Sequence, residues 1–300
     1  MTAIITGLRI KIPSTVDPDS TLPWRDDYDL ILPQQGGIAL VELNHWANPL
    51  SGIPSGSNSI PNIAWNQAKS LVGSGDINSL ALSPSSMNTS TVNSGANTRK
   101  FFERSTLGGL HGIISQVYDT VDNGGASIVL PSGIISYVLA NPDHAYYFSA
   151  WRNITRPATV SGGGVDMIIG ASTANFLTYR QPYTTTGGAQ AGNTTINPPS
   201  SIYTGPTFSA WSPTVHTGTT SSWFNILAAW GLVSPFNDHN VYGNHTSSNI
   251  VYRLYMEDRT VSGRSYSTIE TLDAKLFTAA CLTVGGRYYG DTYTLPSTIP

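Results

Sequence analysis

The stretch Val251–Pro296 reads VYRLYMEDRTVSGRSYSTIETLDAKLFTAACLTVGGRYYGDTYTLP, and its period decides the fold. NIVYRLYMED (249–258) alternates like a strand, so Val251, Arg253 and Tyr255 are expected on one face and Tyr252, Leu254 and Met256 on the other. TVSG (260–263) is a turn. Ser267-Thr268-Ile269-Glu270 has the spacing of a capping box. Ile269, Leu272, Leu276, Phe277 and Ala280 then fall on one helical stripe, which Gly285-Gly286 ends. This is the strongest helix signal in the chain.

The same stretch concentrates charge in Arg253, Glu257, Asp258, Arg259, Arg264, Arg287 and Asp291, a set that suits either an active site or a scaffold. Glu257-Asp258 is the paired carboxylate a glycan hydrolase would need, because such enzymes use two acids about 5–9 Å apart. Neighbours on a regular strand point to opposite faces, so these two cannot share one substrate. The four arginines are expected to pair with acids or loop carbonyls, and no catalytic residue is assigned.

Strand signals dominate elsewhere. TAIITGLRIKI (2–12), Ile38–Leu43, HGIISQVYD (111–119), ASIVLP (126–131), AYYFSAWRNIT (145–155), VDMIIG (165–170) and FLTYRQ (176–181) read as strands. AYYFSAWRNIT reads as a central one. DNGG between 111–119 and 126–131 is a turn signal. WFNILAAWGL (223–232) is ambiguous between strand and helix. Short helices are expected from Pro61 to Gly73, with Ile63, Ala64, Ala68 and Leu71 as its stripe, and over Ser132–Ala140, closed by Asn141-Pro142. Residues 182–222, rich in Thr, Ser, Gly and Pro, read as long surface loops. The whole pattern predicts a mainly β protein, an antiparallel β-sandwich of jelly-roll type with long loops and a few short helices. The Ser/Asn/Gly-rich segment before residue 98 suggests two parts: 1–97 as an N-terminal arm and docking region, and 98–300 as the sandwich body.

Composition bounds the function. The 300 residues carry a net charge of −3, and only 11% are charged, against about 25% in an average globular domain. No basic block exists to form a nucleic-acid footprint. No apolar run approaches the roughly 20 residues of a membrane span, so membrane insertion is not expected. A single cysteine, Cys281, rules out a disulfide within the chain and a Cys-based zinc site, and its apolar surroundings read as core. The N-terminus lacks the pattern of a signal peptide, which predicts synthesis and folding in the cytoplasm.

Common catalytic motifs are missing: there is no G-x-S-x-G, P-loop or G-x-G-x-x-G. His239 and His245 with Asp238 would need a further ligand to hold a metal, and the acidic run Asp17, Asp19, Asp26, Asp27 and Asp29 lacks EF-hand spacing. No metal and no cofactor are therefore expected. The aromatics offer a different chemistry. Trp211, Trp223, Trp230, Tyr288 and Tyr289, with Asp291, would suit stacking on sugar rings and hydrogen bonding to their hydroxyls, as in a glycan-binding module. Core and interface packing uses the same residue types.

RSTLGGLHGIISQVYD (104–119), NPDHAYYFSAWRNITR (141–156), VYRLYMEDRTVSGR (251–264) and GGRYYGDTYT (285–294) together resemble uncharacterised virion structural proteins of tailed bacteriophages. The resemblance spans most of the chain and is clearest over 101–153 and 251–294. It implies a β-sandwich body present in multiple copies in the particle, with other virion proteins as partners, and it transfers no catalytic residue. Long neutral loops suit this role, because they form wide polar interfaces with little desolvation penalty. The expected function is thus a non-enzymatic virion component of tail, baseplate, fibre or decoration type. It would form a homo-oligomer, with a trimer favoured. The alternative is a module that binds a host-surface glycan.

Overall fold

The computed structural model describes residues 28–46, 48, 50–55, 59–87, 100–117, 125–141, 143–159, 165–170, 176–180, 205–211, 225–231 and 244–299. Eleven strands and four helices are described in chain order: β1 (Gly37–Glu42), α1 (Trp65–Val72), β2 (Ser83–Ser85), β3 (Lys100–Arg104), β4 (Leu110–Ile114), β5 (Ala126–Val129), α2 (Ser132–Ala140), β6 (Tyr146–Arg156), β7 (Val165–Gly170), β8 (Phe176–Arg180), β9 (Gly205–Trp211), β10 (Asn225–Trp230), β11 (Ser248–Asp258), α3 (Arg259–Ser262) and α4 (Tyr266–Phe277). The protein is mainly β and sandwich-like, with two antiparallel sheets and no closed barrel. One sheet runs β3-β4-β11-β6-β9, with β1 also paired to β11; the other runs β2-β5-β10-β7-β8.

β11 organises the larger sheet. Its whole length pairs with β6, from Ser248 opposite Arg156 to Asp258 opposite Tyr146. Its other edge is shared end to end: β4 pairs with Asn249–Val251, and β1 pairs from Arg253 to Glu257. Tyr252 sits at that joint, where the register to β6 also shifts. The shift corrects the simple alternation expected for this strand. A bulge turns two successive residues to one side, so Tyr252 joins Arg253 and Tyr255 on the outer face, while Val251 joins Leu254 and Met256 on the inner one.

The inner face packs against the smaller sheet and α2 through one apolar core containing Ile38, Val41, Ile114, Ile128, Ile134, Phe148, Trp230, Leu254 and Met256. The close approach of the two sheets needs a glycine at 112. A Cβ there would lie 2.5 Å from Trp230 Cδ1 and 2.7 Å from the Phe102 ring, whose own contact with the indole is edge-on at 5.4 Å. The outer face is covered by α4, by the 3-10 turn Asp29–Ile31, and by the segment that follows α4.

Several expectations are met in detail. α2 spans Ser132–Ala140 as its apolar pattern indicates, and β6 lies centrally between β11 and β9. α1 ends at Gly73 but begins at Trp65, four residues after Pro61. WFNILAAWGL contains a strand, β10. Others are corrected. β4 and β5 do not form a hairpin around DNGG, because they belong to different sheets. β9 lies inside the region expected to be loop. The described part of 1–97 contributes to both sheets, since β1 pairs with β11 and β2 with β5. The strand expected over 2–12 lies outside the described residues.

Candidate functional site

Arg253, Tyr255 and Glu257 project from the outer face of β11, and the chain after them returns to meet them. Asp258 caps α3, accepting from Val261 N at 3.0 Å, and Gly263 ends that single turn with φ 70°, a conformation glycine adopts without strain. The reversal brings Arg264 onto Glu257. Its Nε donates to Glu257 Oε1 at 2.9 Å, and its Nη2 donates to Glu257 Oε2, to the Tyr255 hydroxyl at 3.1 Å and to Ile31 O at 2.7 Å. Tyr255 in turn donates to Glu257. Burial and the neighbouring Glu257 carboxylate push the Tyr255 hydroxyl well above its ordinary pKa.

Asp258 points the other way. Its Oδ2 accepts from Tyr137 Oη at 2.7 Å and lies 2.6 Å from His144 Nδ1. The two adjacent carboxylates therefore serve opposite sides of the sheet. Both are fully buried and hydrogen-bonded within the chain.

α4 is held by a second buried acid. Its N-cap is Ser265, whose Oγ accepts from Thr268 N at 3.1 Å, two residues before the expected capping box. Glu270 accepts from the Tyr266 hydroxyl at 2.8 Å. The stripe Ile269, Leu276, Phe277 and Ala280 is buried, and Asp273 is buried among them. Asp273 faces three polar tips from alternate residues of β6. Trp151 Nε1 donates to it at 2.9 Å, Tyr147 Oη at 3.2 Å, and Ser149 Oγ also donates. Burial raises the pKa of Asp273 and outweighs the opposing pull of Arg253 and of these three donors.

The segment after α4 is pinned in the same manner. Arg287 and Tyr288 both donate to Glu42 Oε1, the tyrosine at 2.8 Å. The Arg287 guanidinium also lies 4.6 Å from the centroid of the Tyr28 ring. Asp291 Oδ1 accepts from Leu107 N at 2.8 Å and Thr106 Oγ1 at 3.0 Å. Glu103 accepts from Thr294 N and Oγ1, each at 2.7 Å, and lies 2.8 Å from His111 Nδ1. Burial works against the Glu103 carboxylate, but its hydrogen bonds with His111 and Thr294 hold its pKa below the ordinary value.

Two of the residues expected to stack on sugars, Trp230 and Tyr288, are core residues. Trp230 is buried between the sheets, where its Nε1 donates to Asn249 O at 3.0 Å. Tyr288 is buried against Tyr252, with ring centroids 4.5 Å apart. Neither presents a face to a ligand, because each fills a core position that an apolar body with a polar tip suits. Tyr289 is 44% exposed, and Asp291 is engaged with Thr106 and Leu107. Trp211 closes β9, opposite Phe148 of β6, and Trp223 lies outside the described residues. Of the acidic run, Asp29 is buried 2.9 Å from His45 Nε2, and the other four acids lie outside the described residues. Cys281 is buried, and its thiol pKa is pushed up by burial and by Glu42.

Sequence reasoning missed the Asp273 node. Its signal was present: Tyr147, Ser149 and Trp151 carry hydrogen-bonding tips at a spacing of two on a strand expected to be central, and an aspartate interrupts the apolar stripe of the helix. Glu257, Arg264, Asp273 and Arg287 thus tie β11, β6, β1 and α4 together through ion pairs and charge-assisted hydrogen bonds. Among the described residues no helix is long and apolar enough to cross a membrane, and no group of three His, Cys, Asp or Glu side chains is placed to hold a metal ion. No family model matches the chain, and no curated protein matches it either.

Proposed function

We propose that the chain is a non-enzymatic structural component of a bacteriophage virion, associated with tail, baseplate or fibre. It would act by self-association and by docking on neighbouring virion proteins. The observation that supports this reading is how the most distinctive stretch spends its charge. Glu257, Asp258 and Asp273 are each fully buried and satisfied by groups of the same chain. Residues that would serve as acid and base in a hydrolase here close the fold. With a chain only 11% charged, what remains for the surface is largely neutral hydroxyls and amides, which suits permanent contacts. The resemblance to phage structural proteins rests in part on this same stretch.

Mass spectrometry of purified particles tests the location, and analytical ultracentrifugation of the purified chain tests self-association. The expected results are peptides of the chain in particles and a defined oligomer, a trimer by preference. A strictly monomeric chain found in no particle overturns the proposal. The glycan-binding reading is weakened by the burial of Trp230 and Tyr288. A positive glycan array whose signal falls on Tyr289→Ala would restore it.

A further inference from the structure

Among the described side chains two aromatic rings are exposed, Tyr289 and, at 62%, Trp46. A single exposed apolar residue needs no explanation in itself. What sets Trp46 apart is the support built under it. The loop that carries it leaves the end of β1, where His45 N donates to Glu42 O at 3.1 Å and Asn48 N to His45 O at 2.9 Å. The Asn48 amide ties the loop together, donating to Leu43 O at 3.2 Å and accepting from Leu50 N at 3.0 Å. Arg104, at the end of β3, spends its guanidinium on the same loop and on the turn before β4. Nη2 donates to Leu43 O at 2.8 Å, Nη1 to Leu50 O at 3.2 Å and Nε to Gly108 O at 3.0 Å. His45 is buried 2.9 Å from Asp29 Oδ2, and its ring lies 5.3 Å from that of Trp46, with 34° between their planes. The exposed indole therefore leans on an imidazole that is itself fixed.

An aromatic ring already held in place loses little freedom when a ligand settles on it, and loops pinned to a scaffold are where binding residues concentrate. The surroundings select the ligand. The charged neighbours Asp29 and Glu42 are buried, and the guanidinium of Arg104 is engaged with carbonyls. Asn44, two residues before Trp46, is exposed, and its side chain lies against the turn before β4, where a Cβ on Gly108 would come within 2.9 Å of it. This surface offers an aromatic face and a neutral amide, but no exposed charge. A sugar ring matches both, because its C–H face stacks on an indole and its hydroxyls pair with an amide. We propose that Trp46, on the loop after β1, is the stacking residue of a saccharide-binding site, with Asn44 as a hydrogen-bonding partner for the sugar hydroxyls. The inference rests on the second, glycan-binding reading and gives it a residue that the sequence did not single out.

The experiment compares the full chain with Trp46→Ala, Trp46→Phe and Tyr289→Ala on an array of neutral oligosaccharides. The parent chain and Tyr289→Ala are expected to bind alike. Trp46→Ala should weaken binding by about tenfold or more, as loss of a tryptophan anchor does, and Trp46→Phe should keep part of it. Because the ring is exposed, Trp46→Ala should retain the parent's urea midpoint and sedimentation. Binding that survives Trp46→Ala but falls on Tyr289→Ala overturns this site and leaves the glycan-binding reading in place. A parent chain that binds no saccharide overturns both. If Trp46→Ala instead loses the parent's oligomeric state, the ring is a contact between copies of the chain and the inference is overturned.

Discussion

On β11, Leu254 and Met256 enter an apolar core, while their immediate neighbours Arg253, Tyr255 and Glu257 enter a layer wired by charge. Both faces of the strand are buried, but by different means. The inner face meets another sheet through close-packed side chains, where shape is the constraint. The outer face meets a helix and returning loops, and there each buried carboxylate is matched to named donors. Apolar packing tolerates many sequences of similar volume. Hydrogen-bonded charge is selective about position, because a misplaced partner leaves a buried ion unpaired.

The sharpest way to break this comparison is Glu257→Ala. It leaves Arg264 and the Tyr255 hydroxyl without their acceptor, and breaking one side of a buried pair is expected to cost about 3–5 kcal/mol, read from urea unfolding. Replacing Glu257 and Arg264 together by methionine should recover most of that loss. A double variant as unstable as the single one would show that the layer depends on packing and not on paired charge. On the inner face, Gly112→Val drives methyl groups into Trp230 and Phe102. The expected cost is about 1–3 kcal/mol for overpacking, with a loss of near-ultraviolet circular dichroism from the indole. Ser265→Ala removes the cap of α4 and should cost about 1 kcal/mol, which hydrogen exchange would localise to the first turn of the helix.

The subtlest test uses pH. The pKa of Asp273 is raised in the fold, so as pH climbs above the ordinary aspartate value the unfolded chain releases its proton before the folded one. The folded state then holds more protons, and stability falls across that window. Glu103, held below its ordinary value, acts in the opposite sense. Its contribution is present above the ordinary glutamate pKa and is lost as pH falls through the folded value. Urea midpoints measured against pH should show Asp273→Asn removing a decline on the alkaline side of the carboxylate range, and Glu103→Gln removing a loss on the acid side. Identical profiles for both variants and the parent chain would refute the assignment.

Much of the architecture is legible in the sequence because it rests on period alone. The span Ser132–Ala140 and the long strands around Tyr147 and Leu254 declare themselves by spacing and by flanking turn residues. Period does not report what lies above a face. A polar face on a strand suggests solvent, yet here Ser149, Arg253 and Glu257 lie under a helix. Nor does spacing report a bulge, and one residue at Tyr252 was enough to reassign Val251 and Tyr252 to opposite cores. A turn signal is local, so DNGG between 111–119 and 126–131 conveyed nothing about two strands parting to separate sheets. Aromatic residues were the least informative, because Trp230 and Tyr288 look the same in sequence whether they meet a sugar or a neighbouring ring.

The shared edge of β11 has a kinetic consequence. Among the described strands β1 pairs only with β11, so the segment Gly37–Glu42 has no sheet partner until the chain has been made past Asp258. β4 and β6 await the same strand. Pairings so distant along the chain must close large loops before they gain anything in return, which slows folding and prolongs the life of partly assembled forms. A ribosome-bound chain halted before residue 248 would hold an apolar strand without its sheet. Such a chain depends on chaperones or on the speed of synthesis to stay out of aggregates.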